Sequence, residues 1–376
     1  MNKKTGNVMG SIQLKLRWLL SAILLLQLFL PVAANDRLTT PAVKTVRASQ
    51  ALLLDITAAG QQLIAVGDQG VVLRSSDEGL SWQQIQTPFS VMLTSTFFTD
   101  EQRGWVVGHD GLMASTNDAG LSWQTGLDGN QINHLRLERL QELLLEAESL
   151  SDADPDNEAL LERLDLLSWQ VDDAQVAQEE GPSVPLLDIL FTSPQRGYLL
   201  GGYGLLLRTD DGGQSWQYWG DRLENPDSFH LNAMTVDHRG FLYIAGEAGL
   251  LFRSVDDGVS WETLDSPYEG SFFAVTEFDQ QLLLMGLRGH LYRSEDGLDW
   301  VAVETGSGAT LNGAYSSQDK VLLLGAGGTV LQSSDGLRFK RLDSGGRSSL
   351  SAAVITGHKT VLVGEQGVVM LEANDE

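Results

Sequence analysis

Residues 201–216 have the sequence GGYGLLLRTDDGGQSW, which joins two short motifs. The first is Gly-x-x-Gly followed by an apolar strand, and the second is Ser/Thr-x-Asp-x-Gly-x-Ser-Trp. The first motif occurs seven times, and its first glycines are Gly67, Gly108, Gly201, Gly246, Gly286, Gly325 and Gly364. These glycines are 39–45 residues apart, except for one interval of 93 residues. That interval is one repeat plus an insertion of about fifty residues, so the chain contains seven copies of one structural unit.

The second motif, the Asp-box, follows six of the seven glycine motifs. Its aspartates are Asp77, Asp118, Asp211 and Asp256 in full copies, and Asp296 and Asp335 in copies shortened by one residue. An aspartate in a tight turn accepts backbone N–H bonds, and the following glycine supplies a positive φ. The final Trp, or Phe in the last copy, packs between neighbouring sheets. The pattern therefore predicts a structural role for these six aspartates and no catalytic one.

Each repeat divides into four short strands separated by turns. Repeats of roughly 40–45 residues with four strands are typical of propeller blades. We therefore predict an all-β fold, a seven-bladed β-propeller. The last repeat stops soon after residue 371 without an Asp-box, so we expect residues 42–48 to supply its missing outer strand and close the ring.

The insertion, residues 130–183, shows helical periodicity in 131–150 and 157–176, separated by a polar connector. It predicts an α-helical hairpin between blades two and three. Residues 131–180 carry 14 acidic and 3 basic side chains. Two interpretations stay open: the leucines only pack on each other and on the propeller, or the hairpin is a docking element for a partner. Trp169 lies off the leucine stripe and suits such a contact.

The N-terminal segment resembles a secretory signal. A short apolar run is preceded by four basic residues, Lys3, Lys4, Lys15 and Arg17. Val-Ala-Ala at 32–34 then offers small residues for cleavage. We predict a signal peptide at 1–34, with an uncleaved anchor as the alternative. Residues 35–129 would then form blades one and two, and 184–376 blades three to seven. The expected location is the periplasm.

Charge and composition exclude several classes of partner and chemistry. The chain has a net charge of −25, and because residues 1–34 carry four positive and no negative charges, the rest carries −29. Such a protein is repelled by nucleic acids and by anionic bilayers. There is no cysteine, and the six histidines lack metal-ligand spacing. We expect no cofactor, no metal and a monomer.

Asp-boxes also occur in sialidases, so a carbohydrate-active protein, either hydrolase or glycan binder, is the alternative function. Hydrolysis needs two carboxylates about 5–10 Å apart, and a sialidase also needs an arginine cluster at the propeller axis. The arginines that recur here directly precede an Asp-box, which places them at the rim: Arg74, Arg208, Arg253 and Arg293. We therefore favour a binding protein over an enzyme.

One face of the propeller is the candidate partner-binding surface. The loop between the second and third strands of a blade lies on the face where the innermost strand begins. The charged, polar and aromatic residues in these loops are Asp68, His109, Asp110, Tyr203, Glu247, Arg288 and Glu365. Polar residues of the innermost strands are Asp55, Asp188, Asn232 and Asn312. Together they predict an acidic mouth that binds a partner.

The repeats, with Gly-Trp-Val-Val-Gly at 104–108 and Gly-Tyr-Leu-Leu-Gly at 197–201, resemble the photosystem II stability and assembly factor family. Bacterial relatives of that family are exported propellers with Asp-boxes. The resemblance covers residues 41–376 apart from the insertion. It implies a seven-bladed propeller without a cofactor that assists membrane-protein assembly by binding a client. In a photosynthetic host the resemblance implies the thylakoid lumen as the location instead of the periplasm.

Overall fold

The computed structural model describes residues 36–357 and 359–372, so the predicted signal peptide lies outside the described residues. Within this part of the chain the strands form seven antiparallel sheets, six of four strands and one of three. Each sheet is a meander of strands adjacent in sequence. The predicted fold class, an all-β propeller of seven blades, is confirmed.

The blades follow one another in chain order. Blade 1 contains β1 (Leu53–Ala59), β2 (Gln62–Gly67), β3 (Val72–Ser75) and β4 (Gln83–Ile85). Blade 2 contains β5 (Leu93–Phe98), β6 (Gly104–Gly108), β7 (Met113–Thr116) and β8 (Gln124–Leu127). Blade 3 contains β9 (Leu186–Phe191), β10 (Gly197–Gly201), β11 (Leu206–Thr209) and β12 (Gln217–Tyr218). Blade 4 contains β13 (Leu231–Val236), β14 (Leu242–Gly246), β15 (Leu251–Ser254) and β16 (Glu262–Thr263).

The remaining blades have the same order. Blade 5 contains β17 (Phe272–Phe278), β18 (Gln281–Gly286), β19 (Leu291–Ser294) and β20 (Val301–Ala302). Blade 6 contains β21 (Leu311–Ser316), β22 (Val321–Gly325), β23 (Thr329–Ser333) and β24 (Lys340–Leu342). Blade 7 contains β25 (Leu350–Thr356), β26 (Lys359–Gly364) and β27 (Gly367–Glu372). The first strand of each blade contacts the first strand of the next, and β25 contacts β1, so the innermost strands form a closed ring.

A separate apolar core lies at each interface between neighbouring blades. The core between blades 2 and 3 shows the packing. Trp105 is 1% exposed, and its ring stacks on Phe191 of blade 3 with ring centroids 4.0 Å apart. Phe191 also meets the edge of Trp216, the Asp-box tryptophan of blade 3. Large aromatic side chains from two sheets thus hold adjacent blades together.

The ring closes without the predicted N-terminal strand, and this prediction was wrong. Residues 42–48 form no strand. The Ala42 N–H donates to Thr87 O at 3.2 Å and the Thr45 N–H to Gln84 Oε1 at 2.8 Å, so the segment lies along the outer side of blade 1. The 3-10 turn Ala48–Gln50 then occupies the space beside blade 7, where a Cβ on Gly367 would lie 2.0 Å from Ser49 O.

Apolar packing joins blades 1 and 7 instead. Leu53 and Leu63 of blade 1 share one core with Val354 and Val361 of blade 7. At its edge, Lys359 Nζ lies 3.6 Å from Glu78 Oε2, in the Asp-box turn of blade 1. Because this core already covers the inner and middle strands of both blades, closure requires no strand exchanged from the N-terminus.

The insertion is a helical hairpin, as predicted. Helix α1 (Gly129–Ala153) begins with a capping box: Asp128 Oδ1 accepts N–H bonds from Asn130 and Gln131, and the Gln131 side chain accepts the Asp128 N–H. Helix α2 (Glu158–Glu180) begins at Asn157, whose side chain accepts the Leu160 N–H. Among the described residues, neither helix has the length and apolarity of a membrane span.

The hairpin packs on the propeller at its base and on itself beyond it. Ile132 and Leu135 of α1 belong to the core between blades 2 and 3, and Arg139 bonds Asp221 after β12. Further along, the core contains residues of the two helices only: Leu140, Leu143, Ala147, Leu167, Val171 and Ala174. Trp169 lies off this stripe, as predicted, and is 58% exposed. Most leucines of the predicted stripes therefore pack between the helices or on the propeller, whereas Leu161 and Trp169 are exposed, so both interpretations of the hairpin stay open.

The hairpin and the second-to-third-strand turns lie on one face, which we call the top face. Strands within a blade alternate in direction, so this turn and the start of the innermost strand are at the same end. In blade 1, Leu53 pairs with Gly67 and the Asp68 N–H donates to Leu52 O. The hairpin connects the end of blade 2 to the start of blade 3, and Gly129 packs directly on Gly111 of the blade 2 turn.

Candidate partner-binding face

The top-face turns share one backbone geometry, in which one residue of each turn has a positive φ and lies at the surface. In five blades a non-glycine residue has a φ of +52° to +57°: Gln69, Asp110, Tyr203, Ala248 and Arg288. The next residue is a glycine, and at Gly289 the φ is +74° and a Cβ would lie 1.9 Å from Ser307 O. Only glycine fits this close approach, so the motif presents the preceding residue at the surface.

Several of the predicted acidic residues are engaged within the propeller. The Arg37 guanidinium donates to both oxygens of Asp110, at 2.9 and 2.8 Å, and the Asp110 side chain is 14% exposed. Asp68 accepts the N–H of Gln69 in its own turn, and Glu365 accepts the N–H of Ser349. These carboxylates stabilise the loops of the top face. His109 is half-buried.

Tyr203 and Glu247 lie together around His230, which sequence reasoning missed. His230 Nδ1 is 2.9 Å from Glu247 Oε2, and the same oxygen accepts the His230 N–H. The Tyr203 ring lies 5.0 Å from the imidazole and is 61% exposed. The position of His230, directly before the innermost strand β13, is the signal that could have revealed it. Arg288, in blade 5, is also exposed.

At the axis, Asp55 of blade 1 and Asp188 of blade 3 flank Ser95 of blade 2. Ser95 Oγ lies 3.2 Å from Asp55 Oδ2 and 3.1 Å from Asp188 Oδ1. Each carboxylate also accepts two backbone N–H bonds, one local and one from the following blade: Thr96 for Asp55 and Met234 for Asp188. The pair therefore links blades 1 to 4, because each carboxylate is bonded to Ser95 and to two backbone N–H groups.

Burial raises the pKa of Asp55 to about 7, with a smaller contribution from the nearby charge of Asp188. Burial also raises the pKa of Asp188, to about 6. Backbone N–H bonds oppose both shifts without cancelling them. Each innermost strand has a bulge after its first residue; Asn232 and Asn312 are the bulged residues, whereas Asp55 and Asp188 come one position later, so the four residues do not occupy equivalent positions. There the amides donate to carbonyls of the following blade, Phe272 O and Leu350 O.

The six Asp-box aspartates lie inside their turns. In blade 3, Asp211 Oδ1 accepts the N–H of Gln214 and of Ser215, and Oδ2 accepts the Ser215 hydroxyl at 2.6 Å. Hydrogen bonds from serine hydroxyls, followed by backbone N–H bonds, lower the pKa of Asp77 and of Asp211 to about 2. The same direction of shift holds for the pKa of Asp118, Asp256, Asp296 and Asp335. Each carboxylate is an acceptor for its own turn.

Replacing Asp211 by alanine should lower the free energy of unfolding by about 1–3 kcal/mol, because several turn donors lose a charged acceptor. Chemical denaturation followed by circular dichroism measures this change. Replacing Asp227, an exposed loop aspartate outside any Asp-box, is the matched control and should leave the unfolding midpoint within error. Equal midpoints for both variants would contradict the structural role of the Asp-box.

The rim arginines bond within and between blades. Arg74 Nε donates to Ala119 O in the next Asp-box turn, Arg253 pairs with Glu262, and Arg293 pairs with Glu295. Arg208 lies over the ring of Trp219, 4.8 Å from its centroid. Between Trp219 and helix α1 is a groove of about 470 Å³, which sequence reasoning did not predict. Among the described residues, no three His, Asp or Glu side chains form a group that could hold a metal ion.

This combination of features defines a class: a propeller whose Asp-box carboxylates bond within their own turns and whose top face presents exposed side chains. Residues 162–313 match the family model described as photosynthesis system II assembly factor YCF48. The resemblance inferred from the repeats is thereby confirmed. A search of curated proteins finds no match.

Solved structures of the same fold include two of YCF48. One is described as YCF48 bound to D1 peptide, with a TM-score of 0.60 and 16% identity over 89% of this chain and 100% of that chain. Another is YCF48 from Cyanidioschyzon merolae, with a TM-score of 0.58 and 15% identity over 85% and 95% of the two chains. The WD40 propeller domain of Doa1 has a TM-score of 0.58 at 10% identity, over 90% and 97%. At such identities the likeness shows the fold.

Proposed function

We propose that this protein is an exported, non-catalytic accessory factor that binds a membrane-protein client through the top face of its propeller and assists assembly. The proposed location is the periplasm, or a thylakoid lumen if the host is photosynthetic, and the mature protein acts as a monomer outside the bilayer. The family match supports an assembly role, and the YCF48 structure with a bound D1 peptide supports peptide binding by such a fold.

The observation that carries the proposal is the shared position of the exposed groups. The top-face turns present Tyr203 and Arg288 to solvent, and the hairpin with Trp169 rises from the same face. Aromatic and arginine side chains are the residues that most often dominate protein interfaces. The opposite face carries the Asp-box turns, whose polar groups bond within the propeller and whose exposed apolar side chains are aliphatic, such as Leu80, Leu121 and Leu337. Leucine is under-represented among the residues that dominate interfaces, which favours the top face as the client-binding surface.

Replacing Tyr203 and Arg288 together by alanine should reduce client recovery at least about tenfold, since such anchor residues each contribute more than about 1 kcal/mol. The measurement is affinity purification of tagged protein from detergent-solubilised membranes of the host, with the retained proteins identified and quantified by mass spectrometry. A retained protein with membrane spans is the expected client. Its complex should be less abundant in a strain that lacks the accessory factor.

The matched control carries Leu337→Ala and Arg338→Ala, one exposed apolar residue and one exposed arginine in an Asp-box turn of the opposite face. This variant should recover as much client as the unchanged protein. Point substitutions are preferable to deleting residues 130–183, because Ile132 and Leu135 form part of a propeller core. Recovery of no membrane protein by the unchanged chain, or undiminished complex in the deletion strain, would contradict the proposed function.

A further inference from the structure

Helix α2 has a second stripe of residues, exposed to solvent and separate from the stripe that packs on α1; one member, Asp173, bonds Arg136 of α1. The first stripe, with Leu167 and Val171, is buried against α1. The second has alternating spacings of four and three residues and consists of Glu162, Leu166, Trp169, Asp173, Val176 and Glu180, all exposed. Its apolar members are 46%, 58% and 52% exposed at Leu166, Trp169 and Val176. Spacings of three and four place all six on one face of the helix.

Single exposed apolar residues are common on protein surfaces, whereas several exposed apolar residues aligned on one face indicate an interaction site. Alternating steps of three and four residues are the pattern by which one helix packs against another. The hairpin already uses this pattern once, between α1 and α2. The second stripe therefore matches a third helix laid along α2, which would complete a three-helix bundle.

The charge of α2 specifies the chemistry of that third helix. The helix contains seven acidic residues and one basic residue, Arg163. Asp173 is bonded by Arg136 of α1, but Glu162, Asp165, Asp172 and Glu180 have no ion pair with another described residue. A second copy of this chain would bring the same negative charge, and an anionic bilayer would be repelled. A helix rich in lysine or arginine would form ion pairs with these carboxylates.

We propose that the outer stripe of α2 binds a cationic amphipathic helix of the client, with apolar residues against Leu166, Trp169 and Val176 and basic residues against the flanking carboxylates. This inference rests on the proposed function for the identity of the client. The stripe itself stands independently of the top-face turns. It explains why the hairpin retains an exposed tryptophan beside a complete internal core.

The test uses two synthetic peptides of about eighteen residues, a length that spans the stripe at about 1.5 Å per residue. One places leucines on one helical face and lysines on the other, and the second has the same composition scrambled so that no apolar face forms. Titration of the full chain by fluorescence anisotropy at low and high salt gives the Kd. The amphipathic peptide should bind more tightly than the scrambled one, and salt should weaken its binding.

Replacing Leu166 and Trp169 together by alanine should weaken binding of the amphipathic peptide at least about tenfold. Both residues are exposed, so the fold is retained. The matched control replaces Leu80 and Leu121, which are 67% and 54% exposed in Asp-box turns of the opposite face, and should bind unchanged. Equal binding by the stripe variant and the control, or equal binding of the two peptides, overturns the proposal.

The client purification separates this inference from the proposed function. Client lost with both the stripe variant and the Tyr203/Arg288 variant supports both proposals. Client lost only with the Tyr203/Arg288 variant retains the proposed function and overturns the role of the stripe. If the unchanged chain retains no client, the proposed function fails, and the peptide titration alone decides whether the stripe binds a cationic helix.

Discussion

Replacing Trp105 by alanine should lower the free energy of unfolding by about 3–5 kcal/mol, the largest effect expected from a single substitution here. Trp105 is 1% exposed and stacks on Phe191 of the next blade with centroids 4.0 Å apart. Gly213 also packs against its indole, where a Cβ would lie 2.8 Å from Nε1. The substitution removes a large apolar contact between two blades and leaves a cavity that strands on both sides prevent from collapsing.

The measurement is the midpoint of guanidinium unfolding, followed by far-UV circular dichroism so that the lost tryptophan does not affect the signal. Replacing Trp169 by alanine is the control, because that side chain is 58% exposed on the hairpin. The midpoint of this variant should correspond to a free energy of unfolding within about 0.5 kcal/mol of that of the unchanged protein. A similar loss for both tryptophans would contradict the assignment of Trp105 to a core between blades.

The second large effect is on pH dependence: stability should rise as the pH is lowered from about 7.5 to about 4.5. Asp55 has a pKa of about 7 and Asp188 a pKa of about 6 in the folded protein, against an ordinary value of 3.8 for this side chain. As the pH rises above 3.8, these carboxyls lose their protons in the unfolded chain before they do so in the folded chain. Their stabilising contribution is therefore complete below pH 3.8 and lost as the pH rises through 7.

For Asp55 the effect is at most about 4 kcal/mol, because one pKa unit corresponds to about 1.4 kcal/mol. Both side chains are partly accessible to solvent along the axis, and solvent screening makes the stabilisation smaller than this upper limit. The Asp-box aspartates act in the opposite direction, since the pKa of Asp77 and of Asp211 is lowered to about 2. Their contribution is present above the unfolded pKa and is lost as the pH falls toward 2. Maximum stability is therefore expected in mild acid, near pH ~4–5.

Urea midpoints between about pH 4.5 and about pH 7.5 measure this dependence, and the double variant Asp55→Asn/Asp188→Asn should show a shallower slope. The general self-repulsion of an acidic protein also grows with pH, so Asp68→Asn/Glu365→Gln, which removes two charges from the top face, is the control. The control should keep most of the slope. A slope that is equally reduced in both variants would assign the effect to net charge and contradict the axial pair.

The sequence alone determined the number of blades, the Asp-box turns and the position of the hairpin. These features depend on local chemistry: Gly67 and its equivalents approach a neighbouring carbonyl, Asp211 bonds donors within four residues, and the leucines of α1 and α2 recur at helical spacing. Each signal is contained within one repeat or one helix. Recurrence of the same signal then made the architecture predictable from pattern alone.

Only the tertiary structure decided which residues meet across blades. Arg37 bonds Asp110 over 73 residues, and Ser95 reaches Asp55 and Asp188 over 40 and 93 residues. The closure of the ring is also a tertiary feature: blade 7 packs directly on blade 1, without the expected N-terminal strand. Long-range contacts form where ring geometry brings side chains together, and a repeat pattern carries no information about the occupants of each site. For this reason the propeller was predictable, whereas its closure, its axial carboxyl pair and the residues left free on its top face were not.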